Sequence, residues 1–397
     1  MYSPWLQVLD NGIRSFFWES PFTKIATVQC FFPGGRRLET AETAGISKLI
    51  AHCLFYEQQD FLEEIGSAVT VEAEADYFLI SAKCLDEDLP ALLRFLAKVL
   101  PQVQFTAPAL AEVKQESIYA LQSQDHNPFS CAYRQLQPLL YGSHPYGLSS
   151  EGTIETIGAA QTQDLQAHFD RFYLPSAMVL AITANRDPKQ IGELVTSTFG
   201  AWYNKKEINW EHLTAEFVAT VNHQQSDRDQ AWVMMGFPAP ASYDRDFFAM
   251  KVINSHLGNG SSSRLFQVLR EQAGLVYDVA THCPTRFDRS HLLIHCTTAI
   301  DYVSTVQELI WQECQRLQTE LLTAEALELA KSKLLGHYAL AKQTPAQLAY
   351  IHSWYHTLQL PPDFDFQFIK QVEITTPQEI QEVACKYLAK AAISIVC

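Results

Sequence analysis

The sequence predicts an α+β protein of two similar domains, each an antiparallel sheet packed with several long helices. Three observations carry this expectation. The chain has 397 residues, too many for one compact core and suited to two domains of roughly 200 each. Hydrophobic residues make up 47% and charged residues 18%, the balance of an ordinary globular protein and not of a disordered one. The two halves also carry the same order of landmarks.

The landmarks run as follows. In the first half a β-like run from Ile25 to Phe31 reaches Phe32-Pro33; in the second, Ala231 to Gly236 reaches Phe237-Pro238. A polar turn and an apolar-periodic helix follow each, Ala44 to Phe55 and Asp246 to Leu257. Asp125-His126-Asn127-Pro128 then ends one long helical stretch, and Lys342-Gln343-Thr344-Pro345 ends another. Gln163 to Leu174 matches Gln378 to Leu388, and each leads into an apolar strand, Met178 to Thr183 and Ala392 to Val396. Thr376-Pro377-Gln378-Glu379 is a complete helix start, with a Thr cap, Pro at the first position and Glu three residues after the cap. The spacings between halves are similar but unequal, as duplication followed by loop insertion would leave them. Each half thus reads β, long helices, β. The polar stretch from Tyr203 to Thr220, with Asn204-Lys205-Lys206-Glu207, marks the linker. The expected domains are 1–205 and 225–397, joined by 206–224.

Composition excludes several classes. A net charge of −15 argues against nucleic-acid binding, which needs a basic surface. No Lys/Arg run suits an anionic membrane surface. No apolar stretch of about 18 residues offers a membrane span. The opening Met1-Tyr2-Ser3-Pro4-Trp5 lacks the basic-then-apolar order of a secretory signal. The nine cysteines are odd in number and form no CxxC, which favours reduced thiols and a cytoplasmic location over a disulfide framework or structural zinc.

Two regions carry candidate chemistry. The helix from Ala44 to Phe55 has an apolar face at Ile46, Leu49, Ile50, Cys53 and Leu54. A different face carries Gly45, Lys48 and His52, and the last two lie one turn apart on the same side. In the second half, a Gly/Ser loop from Gly258 to Ser263 precedes a short helix that Ser262 or Ser263 could cap. Leu265, Phe266, Val268 and Leu269 supply its buried side, and Gly274 suits the left-handed stop position. Arg270 falls in the last helical turn and Tyr277 in the strand that begins at Leu275. Because Gly274 reverses the chain between them, both side chains can reach one wall. An Arg fork can hold a peptide carbonyl or carboxylate, and a Tyr hydroxyl can add a hydrogen bond. On spacing alone, a dipole-favoured Arg at a helix end and an ordinary strand Tyr explain the pair better.

These segments carry a resemblance. Phe32-Pro33-Gly34-Gly35-Arg36, Gly45-Ile46-Ser47-Lys48-Leu49-Ile50-Ala51-His52-Cys53-Leu54-Phe55 and Phe61-Leu62-Glu63-Glu64-Ile65-Gly66 resemble the opening of the pitrilysin and mitochondrial-processing-peptidase family of inverzincin metallopeptidases. The block Ser263 to Val279 resembles that family's S-R-L-F-x-x-L-R-E-x-x-G-L-x-Y-x-V loop. Active members carry H-x-x-E-H, two His ligands one turn apart with a Glu between them as general base. Here the first His is Lys48, the Glu is Ala51, and His52 alone remains of the three. The third ligand, a later Glu, should fall near Ile118 or Tyr119, with Glu116 close but out of register.

The resemblance implies a clam-like arrangement of the two domains and a non-catalytic role. In members made of two different subunits, one subunit carries the metal motif and the other the Arg–Tyr pair. This chain matches the second kind. The implied substrate-binding residues are Arg270 and Tyr277, with Gly258, Gly260, Ser261 and Ser262 of the loop. The implied cofactor assignment is none on this chain and zinc on a homologous partner bearing the intact motif. Peptides would be cleaved in an enclosed chamber, and an acidic chamber would draw basic ones. The alternative is a non-enzymatic structural or peptide-binding scaffold of the same fold, which would need neither the pair nor the loop.

Weaker signals read as structure. His352 and His356, four apart in a helix with Trp354 and Tyr355, suit a packed aromatic face better than a metal site. His291 and His295 share one face of a strand, and Tyr141 to Gly147 is explained as a turn by its Pro and Gly.

Overall fold

The computed structural model describes residues 4–397 apart from Lys205, Glu207, Asn209, Trp210, residues 226–228 and Asn259. Met1-Tyr2-Ser3 of the expected leaderless opening, Lys205 and Glu207 of the expected linker, and Asn259 of the Gly/Ser loop lie outside the described residues.

The chain forms two compact units. The first takes the segment up to Leu121, Ser149–Glu211 and Lys342–Pro362; the second takes Gln122–Leu148, His212–Ala341 and Asp363–Cys397. Each unit therefore draws most of its residues from one half of the sequence and one helical segment from the other.

The first unit holds six strands: β1 (Trp5–Val8), β2 (Arg14–Glu19), β3 (Ile25–Pro33), β4 (Ala68–Ala73), β5 (Tyr77–Leu85) and β6 (Val179–Ala184). Their order across the sheet is β1-β2-β6-β3-β5-β4. β3 lies between β6 and β5, and all but its end residues are buried, which explains its unbroken apolar run. Its register sets Phe32 opposite Phe78. β4 pairs with β5 alone, and its residues alternate between exposed and half-buried, as an edge strand should. One face of this sheet packs on the main core. The other is covered by the helix Pro345–Thr357, whose Tyr350 and Trp354 pack against Phe31, Tyr77, Leu79 and Val179. His352 and His356 lie against the rings of Trp18 and Phe16, so the aromatic face expected there is present.

The second unit holds β7 (Val221–Gln224), β8 (Gln230–Ala239), β9 (Val276–His282), β10 (Ser290–Ala299) and β11 (Ala392–Val396), in the order β7-β11-β8-β10-β9. The helix Pro128–Tyr141 packs on this sheet, close enough that a Cβ on Gly236 would lie 2.8 Å from a Leu140 methyl. Both sheets are antiparallel except for one parallel pair each, β2 with β6 and β7 with β11. That pairing departs from the wholly antiparallel expectation, and its cause is topological. β6 and β11 each return from a helical region to enter the sheet beside an early strand.

The shared Pro landmarks are one device used twice. Asn127 caps Pro128–Tyr141 by accepting from the N–H of Phe129 and Ser130 at 3.0 and 3.3 Å. Thr344 caps Pro345–Thr357 through a reciprocal box with Gln347. In each helix Pro fills the first position, where no N–H is needed. All nine cysteines are free. Among the described residues no helix is long and apolar enough to cross a membrane.

Candidate functional site

The first candidate region lies in the first unit. Gly45 enters the helix Ile46–Cys53 at φ 89°, and a Cβ there would lie 2.9 Å from the Glu151 carbonyl. The buried Glu39 carboxylate accepts from the N–H groups of Gly45 and Ser47 at 2.8 and 3.0 Å, so it caps the helix from a distance in sequence. Burial raises the pKa of that carboxyl against these hydrogen bonds. Ile46, Leu49, Ile50 and Cys53 turn into the core, as their spacing requires.

Lys48, Ala51 and His52 face a cleft of about 330 Å³, also lined by Glu72, Glu74 and Glu151. Lys48 Nζ is ion-paired with the Glu151 carboxylate, with both side chains partly shielded. His52 is exposed. Its imidazole still titrates below the ordinary value, because the surrounding protein and then the Lys48 ammonium disfavour a second positive charge. Glu151 and Glu116 pull the other way. Glu116 therefore lies within electrostatic reach of His52, whereas Tyr119, named from the count, is 61% exposed. Among the described residues, no group of three or more His, Cys, Asp or Glu side chains is placed to hold a metal.

The second candidate region lies in the second unit. The helix Phe247–Gly258 ends where a Cβ on Gly258 would lie 2.2 Å from the Thr281 methyl on β9. Gly260 sits at φ +78° in open space. Ser261 and Ser262 are exposed, and the Ser261 carbonyl accepts from Gln267 Nε2 at 2.7 Å. Ser263 does not cap with its hydroxyl, which is buried and has no hydrogen-bond partner among the described residues. Its backbone carbonyl accepts from the Gln267 N–H instead. Leu265 and Leu269 are fully buried, and Arg264 makes a bidentate pair with Glu313 at 2.7 and 2.8 Å that ties this segment to the helix Val303–Thr319.

From Phe266 to Gln272 the helix widens to the π form. It closes with the Ala273 and Leu275 N–H groups donating to Val268 and Leu269 carbonyls, and Gly274 takes φ +64° as its spacing suggested. β9 then pairs with β10 irregularly. Thr297 faces Asp278 and Thr298 faces Val276, so Tyr277 is the extra residue of a β-bulge on an edge strand. Its side chain is 79% exposed. The Arg270 guanidinium carbon lies 5.3 Å from the Tyr277 ring centre and 4.9 Å from that of Phe266. The pair named from sequence is therefore in contact.

Sequence reasoning treated Phe266 only as core and missed the two irregularities. One signal was available. The two valines of Val276-Tyr277-Asp278-Val279 stand three apart, which breaks the period of two that a regular strand keeps.

The two-sheet α+β fold of this chain is that of a peptidase-like protein. Residues 16–153 match the profile described as Insulinase (Peptidase family M16), and residues 159–334 match the Peptidase M16 inactive domain. The chain belongs to the M16 peptidase family. It is 25% identical over 351 residues to the uncharacterized zinc protease YmxG of Bacillus subtilis, covering 84% of this chain and 83% of that protein. It is 22% identical to a zinc protease of Rickettsia felis, covering 85% and 84%. In fold it is similar to a protease from Helicobacter pylori, with TM-score 0.91, 17% identity and coverage of 100% and 99%. It is likewise similar to a peptidase M16 inactive domain from Pseudomonas fluorescens, with TM-score 0.90, 20% identity and coverage of 99% and 97%.

Proposed function

We propose that this chain is the non-catalytic, substrate-binding subunit of a heterodimeric zinc metallopeptidase that cleaves peptides in an enclosed chamber. The observation that carries the reading is the contact of Arg270 with Tyr277. A π-turn presents one residue and a β-bulge the other, and both irregularities are common at functional sites. Among the described residues Arg270 has no acidic partner, so its N–H fork is free to hold a peptide carbonyl or carboxylate.

The residues of the degenerate helix do not fit a catalytic zinc. Lys48 supplies an ammonium, engaged with Glu151, where a lone pair is required. Ala51 has no proton acceptor, and His52 is a single imidazole. The zinc and general base therefore belong to a homologous partner with the intact motif. Exposed Gly260, Ser261 and Ser262 offer backbone groups to a peptide. The net charge of −15 favours basic peptides, whose turnover would weaken with salt.

The test is reconstitution. Neither chain alone should cleave peptides, and the mixture should. Arg270→Ala should lower turnover by about tenfold to a hundredfold, the loss of a charge-assisted hydrogen bond, and Tyr277→Phe by less. Unchanged turnover in both variants, with the partner saturating, would remove the reading.

A further inference from the structure

We propose that Phe266 is a positioning residue for Arg270 and so the third member of the peptide-holding set; the proposal rests on the reading given under Proposed function. Phe266 lies one helical turn before Arg270, and its ring centre is 4.9 Å from the guanidinium carbon, closer than that of Tyr277 at 5.3 Å. Arginine attracts aromatic faces through the ring quadrupole, and the planar guanidinium loses little by lying against one. Two rings at these distances restrict the swing of a long side chain that is otherwise only half-buried.

The surroundings support the assignment. Leu265 and Leu269 are fully buried, and Val268 nearly so, while Phe266 is only half-buried. It thus stands at the margin of the helix's apolar side, beside Arg270, where a core role would place it deeper. Arg264 is fixed elsewhere, by its bidentate pair with Glu313. Arg270 is the basic residue of this helix left without a carboxylate among the described residues.

Both rings meet the guanidinium through its carbon, at 4.9 and 5.3 Å, and none of its N–H groups is engaged by a carboxylate among the described residues. A guanidinium fork recognises a planar oxygen group, a peptide carbonyl or carboxylate, by paired hydrogen bonds. A lysine at 270 would reproduce the charge but neither the fork nor the stacking.

The experiment measures binding of a fluorescein-labelled basic peptide to the full chain by anisotropy, with thermal unfolding as a control for folding. Phe266→Leu should weaken binding by about two- to fivefold, the fold-change expected for one exposed cation–π contact. Phe266→Tyr, which keeps the ring, should bind like the parent. Arg270→Ala should weaken binding by at least about tenfold. In the Arg270→Ala background, Phe266→Leu should have no further effect, because a positioning residue acts only through what it positions. Equal losses from Phe266→Leu with and without Arg270 would overturn the proposal by showing a merely structural role, as would binding unaffected by Phe266→Leu. Unchanged binding in Arg270→Ala would instead overturn the peptide-holding reading itself, and this proposal with it.

Discussion

Gly258 and Gly260 open the same loop but are required for different reasons. At Gly258 an added Cβ would meet the Thr281 methyl at 2.2 Å and its hydroxyl at 2.3 Å. Thr281 cannot turn aside freely, since it is buried and its hydroxyl donates to the Asn254 carbonyl at 3.0 Å. At Gly260 the space is open and the backbone sits at φ +78°, where a side chain is strained by its own carbonyl. Gly258→Ala should therefore cost about 1–3 kcal/mol as overpacking. Gly260→Ala should cost about 1 kcal/mol as backbone strain. Urea unfolding distinguishes the two when each is combined with Thr281→Ser, which removes the nearest methyl. Stability should return in part to Gly258→Ala and not to Gly260→Ala, and equal behaviour of the two would contradict this assignment of causes. The sequence showed that glycines recur here, but Thr281 lies outside the local spacing, so the close approach could not be read.

The start of the helix Pro377–Tyr387 was legible because a cap and a proline stand together there. Thr376 accepts from the Glu379 N–H at 3.2 Å, and Glu379 accepts from the Thr376 N–H at 2.8 Å, as Thr376-Pro377-Gln378-Glu379 implied. Replacing the exposed Thr376 with Ala should lower stability by about 1 kcal/mol while leaving the buried face at Ile380, Val383 and Ala384 intact. Chemical denaturation checks this, and a loss under a few tenths would show that the box adds nothing. Other features were less legible. Glu39 caps the helix Ile46–Cys53 from outside the usual cap position, and Ser263 holds its helix by a backbone carbonyl that any residue offers. The bulge at Tyr277 depends on β10, whose pairing no local pattern specifies. Arg270 and Tyr277 were found by their spacing and resemblance. Phe266 passed as one more apolar residue, because its nearness to Arg270 is a fact of side-chain geometry.

At the scale of the whole molecule, each unit contains a histidine kept neutral by burial. In the first unit His168 is pushed down to about 4 by burial and then by Arg171. In the second, His256 is likewise pushed down to about 4, by burial first, with Glu313 opposing and nearby cations adding. His291, also in the second unit, is lowered well below the ordinary value by burial and then by Arg286, His282 and Lys251. The linkage follows from proton counting. Above the unfolded value of about 6.5 neither state binds the proton, so these groups do not alter stability. Below it the unfolded chain takes up protons that the native imidazoles refuse, and stability falls. The loss contributed by His168 and His256 is complete once the pH passes about 4, where the native rings protonate too. A depression from 6.5 to about 4 is worth roughly 3 kcal/mol for each group at the acid end. Glu39, whose carboxyl is raised by burial, works in the opposite sense. Urea midpoints measured from pH 7.5 to 4 should therefore be level above about 6.5 and fall steadily below it. His168→Gln removes one titrating group without leaving a charge, so it should flatten part of the slope for whichever transition reports the first unit. His256→Gln should do the same for the second. Midpoints that stay level down to pH 4, or a slope unchanged in both variants, would mean that these imidazoles are not held neutral by the fold.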